Sequence, residues 1–134
     1  MRTLDAYFEA LRSHDWDGLA ECLAAGVRRT GPYMDVVEGR DAYTKFLAGV
    51  LPTLPNYTLT ISRVRRLDPK AAVVELSERL DVNGVSTEFP EVLLFEFDDD
   101  ERIRTVDVFV KQVPGAGGAS ASAGGPRVFD GRGR

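Results

Sequence analysis

Hydrophobic residues recur at helical spacing early in the chain and at strand spacing later. Leu4, Tyr7, Phe8 and Leu11 fall at i, i+3, i+4 and i+7, which predicts an amphipathic helix over 4–13. Ser13-His14 ends it. Asp15 is placed to cap a second helix over 16–25, with Asp17 in its first turn and Leu19, Cys22 and Leu23 facing inward. Gly26 reads as its C-terminal stop, and Trp16 as the plug between the two helices. Residues 27–30 read as a short strand, Gly31-Pro32 as a turn, and 33–38 as a loop or edge strand at a pocket rim. A third helix is expected over 39–51, with Tyr43, Phe46, Leu47 and Val50 as its apolar stripe and Pro52 and Pro55 beyond it.

From residue 56 the period changes to two. Tyr57, Leu59 and Ile61 alternate with Thr58, Thr60 and Ser62, the mark of a half-buried strand. Strands over 71–82 and 85–98 flank Asn83-Gly84. That dipeptide suits a type I′ turn, whose central residues both need positive φ. A two-residue loop pairs 82 with 85, and so 80 with 87, 78 with 89, 76 with 91 and 74 with 93. Ala72, Val74, Leu76, Glu78, Leu80, Thr87, Phe89, Glu91, Leu93, Phe95 and Phe97 then share one face. Arg79 opposite Glu88 forms an ion pair on the other face, which makes the first face the inner one. A last strand over 103–113 follows an acidic turn, with Val106, Val108 and Val110 inward. Val73, Val92, Leu94 and Phe109 leave an apolar outer patch, which predicts a homodimer through the sheet.

The chain has 134 residues, 43% of them hydrophobic and 28% charged, which fits one globular domain able to bury a core without disulfides or metals. That domain is expected over 1–113. The last 21 residues, 114–134, hold seven of the 13 glycines and are expected to form a disordered Gly/Ala/Ser-rich tail. Val128-Phe129 is its one apolar pair. No apolar run reaches the length of a membrane span, and no basic, apolar leader opens the chain, so a cytoplasmic location is expected. A net charge of −4 with no basic patch argues against nucleic acid as a partner. With one cysteine, Cys22, and one histidine, His14, neither a His/Cys metal site nor a cofactor is expected.

Two carboxylates interrupt the inner face. Glu78 and Glu91 are diagonal neighbours across the hairpin, close enough for their side chains to meet. In an apolar pocket, desolvation and mutual repulsion raise the pKa of at least one, and such a pair can split into acid and base near neutral pH. Tyr7, Tyr33, Tyr43 or Tyr57 could donate hydrogen bonds nearby. A plainer reading has the hairpin end projecting beyond the helices, with both glutamates solvated. Tyr7 has its own plainer reading, a core tyrosine with a bonded hydroxyl. The Arg63-Arg65-Arg66 cluster reads as a solvated strand face.

Three helices followed by a curved antiparallel sheet resembles the nuclear transport factor 2-like, cone-shaped α+β fold, with three N-terminal helices packed on the concave face of the sheet. Tyr7-Phe8-Glu9-Ala10-Leu11, then Asp15-Trp16-Asp17-Gly18-Leu19, looks like that superfamily's opening helix pair. Glu38-Gly39-Arg40-Asp41-Ala42 through Phe46 looks like the start of its third helix, and Arg102-Ile103 through Lys111-Gln112 like its final strand. The superfamily includes ketosteroid isomerases, SnoaL-like polyketide cyclases, a dehydratase, an epoxide hydrolase, and non-catalytic transport and assembly domains, so fold alone does not choose a function. The resemblance implies an oxyanion donor at Tyr7. It places the isomerase base at Gly31, before Pro32, and a second oxyanion donor at Leu93; neither residue can do that work. The acid/base aspartate of the cyclases falls nearest Asp107, which faces outward beside the inner Val108. His14 lies in the wrong region for the dehydratase set, and the hydrolase aspartates have no counterpart.

Two function classes follow. One is a cofactor-free enzyme of isomerase, cyclase or dehydratase type acting on a small apolar cyclic or carbonyl substrate. Glu78 and Glu91 would be base and acid and Tyr7 would polarise an oxygen. Tyr33, Tyr43, Leu47, Val74, Phe89, Leu93, Phe95, Val106 and Val108 would line a closed pocket. The other is a non-catalytic ligand-binding or assembly domain of the same fold.

Overall fold

The computed structural model describes residues 1–112. Helix α1 (Arg2–Ser13) buries Leu4, Tyr7, Phe8, Ala10 and Leu11, the stripe its spacing predicts. His14 closes it in the left-handed conformation at φ 58°, and the next amide, Asp15 N–H, reaches back to the Ala10 carbonyl at 2.9 Å. Asp15 then caps α2 (Trp16–Glu21), its Oδ1 accepting from Gly18 N–H at 3.0 Å. Trp16 is only half-buried, and its ring stacks on that of His14 at 5.3 Å. Helix α3 (Arg40–Val50) starts after Gly39, buries Tyr43 and Leu47, and runs into a 3-10 turn at Leu51–Thr53.

Six strands form one curved, unclosed sheet: β1 (Leu23–Thr30), β2 (Val36–Glu38), β3 (Thr58–Asp68), β4 (Ala71–Val82), β5 (Val85–Phe97) and β6 (Ile103–Val110). Their spatial order is β2-β1-β6-β5-β4-β3. The hairpin register is the one its turn predicts: Val82 pairs with Val85, Leu80 with Thr87, Glu78 with Phe89, Leu76 with Glu91 and Val74 with Leu93. Asn83 and Gly84 both have positive φ, 52° and 79°, as a type I′ turn requires. Arg79 and Glu88 bridge the outer face at 3.0 Å. The architecture is the α+β cone, with the core between the helices and the concave face. Phe95 on β5 is the centre of that contact. It meets Tyr7 at 5.6 Å and Phe8 at 6.0 Å, edge to face, and stacks on Phe97 at 6.4 Å.

Several boundaries differ from expectation. The second helix stops at Glu21 instead of continuing to residue 25, because Leu23 leaves it to open β1. Cys22 C=O accepts from Ile103 N–H at 2.8 Å, and Leu23 pairs with Ile103 in parallel. Leu23 suits either element, and a partner strand some eighty positions later decides it. Gly26, expected as a helix stop, sits in the irregular stretch between Leu23 and Arg28 where β1 shifts register against β6. That β1–β6 pair is parallel, whereas the other neighbours are antiparallel. The last strand ends at Val110 rather than 113. The expected 113 boundary, the 114–134 tail and Val128-Phe129 lie outside the described residues. Among the described residues no helix is long and apolar enough to cross a membrane.

Two substitutions test this packing by urea unfolding. Phe95→Ala should cost about 3–5 kcal/mol, because an entire ring leaves the helix–sheet contact. Gly84→Ala should cost on the order of 1 kcal/mol, because a Cβ is forced into positive φ. An equal, small loss for both would contradict the packing described.

Candidate functional site

The register of β4 against its neighbours puts Glu78 between Phe89 on β5 and Leu59 on β3. Glu91 lies between Leu76 on β4 and Val110 on β6. Both point into the cone, Glu78 at 1% exposure and Glu91 at 4%. Tyr57, just before β3, donates its hydroxyl to Glu78 Oε2 at 2.6 Å. Burial first, then the nearby Glu78 charge, the hydrogen bond to it and the Glu91 charge, push the Tyr57 phenol far above the usual range. Tyr57 therefore keeps its proton at any working pH and stays a donor to Glu78.

A second polar group stands under α1 and α3. The Tyr7 and Tyr43 hydroxyls are 2.6 Å apart and both buried. Burial raises both phenol pKa values; for Tyr7 the Tyr43 hydroxyl adds to this, while for Tyr43 the Arg29 charge works against it. Arg29 is the largest fully buried side chain of the described residues, at 2% exposure. Strand alternation turns it inward two positions after Val27. Its guanidinium lies 5.0 Å from the centre of the Phe46 ring and 3.8 Å from Asp35 Oδ2. Gly31 makes the Asp35 approach possible, because the Asp35 carboxylate occupies the space that a Cβ at position 31 would take. The Glu78 charge also acts on Tyr7 and the Tyr7 hydroxyl on Tyr57, which links the two groups electrostatically.

The interior thus holds carboxylates able to accept a proton, phenols that keep theirs at working pH, and a guanidinium able only to donate hydrogen bonds. Among the described residues no three His, Cys, Asp or Glu side chains gather to hold a metal ion.

Residues 4–106 match the profile of the SnoaL-like domain. The chain belongs to the SnoaL-like family. The sequence has no significant match among curated proteins. Solved structures with the same architecture include a nuclear transport factor 2-like protein of Burkholderia pseudomallei K96243, with TM-score 0.73 and 24% identity over 83% of this chain and 89% of that one. An LEH-like epoxide hydrolase of Mycobacterium tuberculosis matches with TM-score 0.69 and 20% identity over 82% and 80%. A second Mycobacterium tuberculosis protein, solved with estradiol-17β-hemisuccinate, matches with TM-score 0.67 and 15% identity over 80% and 89%. At these identities the likeness shows the fold.

In this SnoaL-like domain Glu78, Glu91, Tyr7 and Tyr43 come together in one interior, as do the apolar Leu47, Leu93, Val106 and Val108. Val74, Phe89 and Phe95 are buried completely in the same core. Tyr33 stands apart, 38% exposed, with its hydroxyl accepting from Gln112 Nε2 at 2.8 Å. Arg63 and Arg65 pair with Glu75 on the outer surface. Arg29 went unrecognised in the sequence, where residues 27–30 read only as a short strand. Its alternation with Val27 was the available signal.

Tyrosine absorbance at 295 nm should show the burial directly. Folded-state pKa values raised above the unfolded value of about 10 leave full stability below that pH and remove it as pH rises further. Tyr7, Tyr43 and Tyr57 should therefore ionise only together with alkaline unfolding followed by circular dichroism. Ionisation of all four phenols in the native state near pH 10 would contradict it.

Proposed function

We propose that the domain takes a small, largely apolar molecule bearing a carbonyl oxygen into the cone and transfers a proton on it without a cofactor, as an isomerase, cyclase or dehydratase does. The observation that carries this reading is the burial of Glu78 beside Glu91, with the Tyr57 hydroxyl bonded to Glu78. A carboxylate removed from water and held in one orientation is a competent general base. Glu78 takes a proton from the carbon next to the carbonyl. The electron pair moves to the oxygen, which the Tyr7–Tyr43 hydroxyl pair stabilises. A protonated Glu91 returns a proton to another carbon as the carbonyl re-forms, and Glu78 passes its proton to Glu91 to reset the pair. The half-buried Phe46, Val50, Tyr57 and Val110 pack on the same core. That similarly folded proteins include an epoxide hydrolase and one that binds a steroid ester supports a small-molecule role.

Leu93 and Val108 favour a second reading, a ligand-binding domain without turnover. They are cross-strand partners, both buried and apolar, where an acid was expected from the resemblance. Deuterium exchange at the carbon next to the carbonyl in a panel of cyclic ketones, followed by NMR, separates the two. Proton transfer predicts exchange above buffer that Glu78→Gln slows by about 10²–10⁴-fold. Ketones that bind but do not exchange leave the binding reading in place.

We infer a homodimer as well. Val92 and Phe109 are cross-strand partners on the outer face, and Phe109 is 56% exposed beside the half-buried Val73 and Leu94. Sedimentation velocity should give a dimer that Phe109→Asp converts to a monomer; a monomeric wild type would remove this reading.

A further inference from the structure

We propose that the buried Arg29 guanidinium is a receptor for a carboxylate on the ligand. This rests on the reading that the cone takes a small apolar molecule, and adds the polar class of that molecule. The case is a count of donors. Arg29 is fully buried, yet neither Nη1 nor Nη2 has a hydrogen-bond partner among the described residues. Those nitrogens carry all but one of the guanidinium donors. Asp35 at 3.8 Å balances charge but is too far to accept a hydrogen bond, and Phe46 covers one face of the guanidinium plane without supplying an acceptor. A buried guanidinium left so is costly unless something accepts from it.

The Tyr7–Tyr43 pair keeps one O–H hydrogen beyond the bond the two share, and that donor serves the carbonyl oxygen. The Arg29 guanidinium offers donors and no acceptor. Its complement is a planar anion with two oxygens, because the guanidinium fork fits a carboxylate through paired hydrogen bonds. A single negative charge suits it better than a phosphate dianion, because Asp35, Glu78 and Glu91 already lie in or beside the interior. The apolar body of the ligand then lies towards Glu78 and Glu91, with its carboxylate on Arg29.

Titration of the full chain with 2-naphthoate and with the uncharged 2-naphthamide, by calorimetry, tests this. The acid should bind at least about tenfold tighter than the amide. Arg29→Met should abolish that preference while the amide binds as before. Should the methionine variant fail to fold, Arg29→Lys serves: its ammonium keeps the charge without the fork, and the preference should fall severalfold. Equal binding of acid and amide to the wild type overturns the carboxylate receptor and leaves the apolar cone site standing. So does a preference that survives either substitution. If neither compound binds the wild type, the apolar site itself is overturned, and the receptor with it.

Discussion

A two-residue loop leaves a hairpin no slack. Once Asn83 and Gly84 adopt positive φ, every pair from Val82–Val85 to Ala71–Glu96 is set, and with it the face each side chain takes. A slip of one residue would turn Phe89, Phe95 and Phe97 to solvent and strip α1 of its packing surface. The same slip would carry Glu78 and Glu91 outward. The burial of the aromatic residues and the burial of the carboxylates are therefore one constraint: the apolar face that stabilises the sheet also holds two acids out of water.

Several buried polar groups share that interior with a closely packed apolar core. Their arrangement is not uniform. Glu78 and Tyr57 satisfy one another, and Arg79, Arg63 and Lys70 pair with acids on the outside, where such bridges contribute little. Arg29 is different. It sits in the interior with one distant counter-charge and an aromatic face, an arrangement that a stable core would not select for its own sake. Groups that weaken a core in this way concentrate at sites of binding and chemistry. Arg29 comes from β1 and the tyrosine pair from α1 and α3, while the carboxylates come from β4 and β5. This gives the interior a polarity along which a ligand can be oriented.

Much of this was legible in the sequence because it depends on neighbours. The α1 stripe, the Asp15 cap, the β3 alternation and the β4–β5 register all follow from residues a few positions apart, and each stands in the structure as its pattern implies. The interior placement of Glu78, Glu91, Tyr7 and Tyr43 follows from the same periodicities. What was not legible depends on distant partners. Whether Leu23 continues a helix or opens a strand is decided by Ile103. The parallel β1–β6 pair requires the rest of the sheet to lie between its two strands in the chain.

By itself, then, the sequence determined the period of each segment, the turn that sets the hairpin, and hence the side of the sheet on which each residue lies. Only the tertiary structure decided that Arg29 would be enclosed. Its neighbours Phe46 and Asp35 come from α3 and the stretch before β2, and no local pattern encodes their meeting. Local sterics and alternation act over a few residues. Burial of a charge is a property of everything that closes around it.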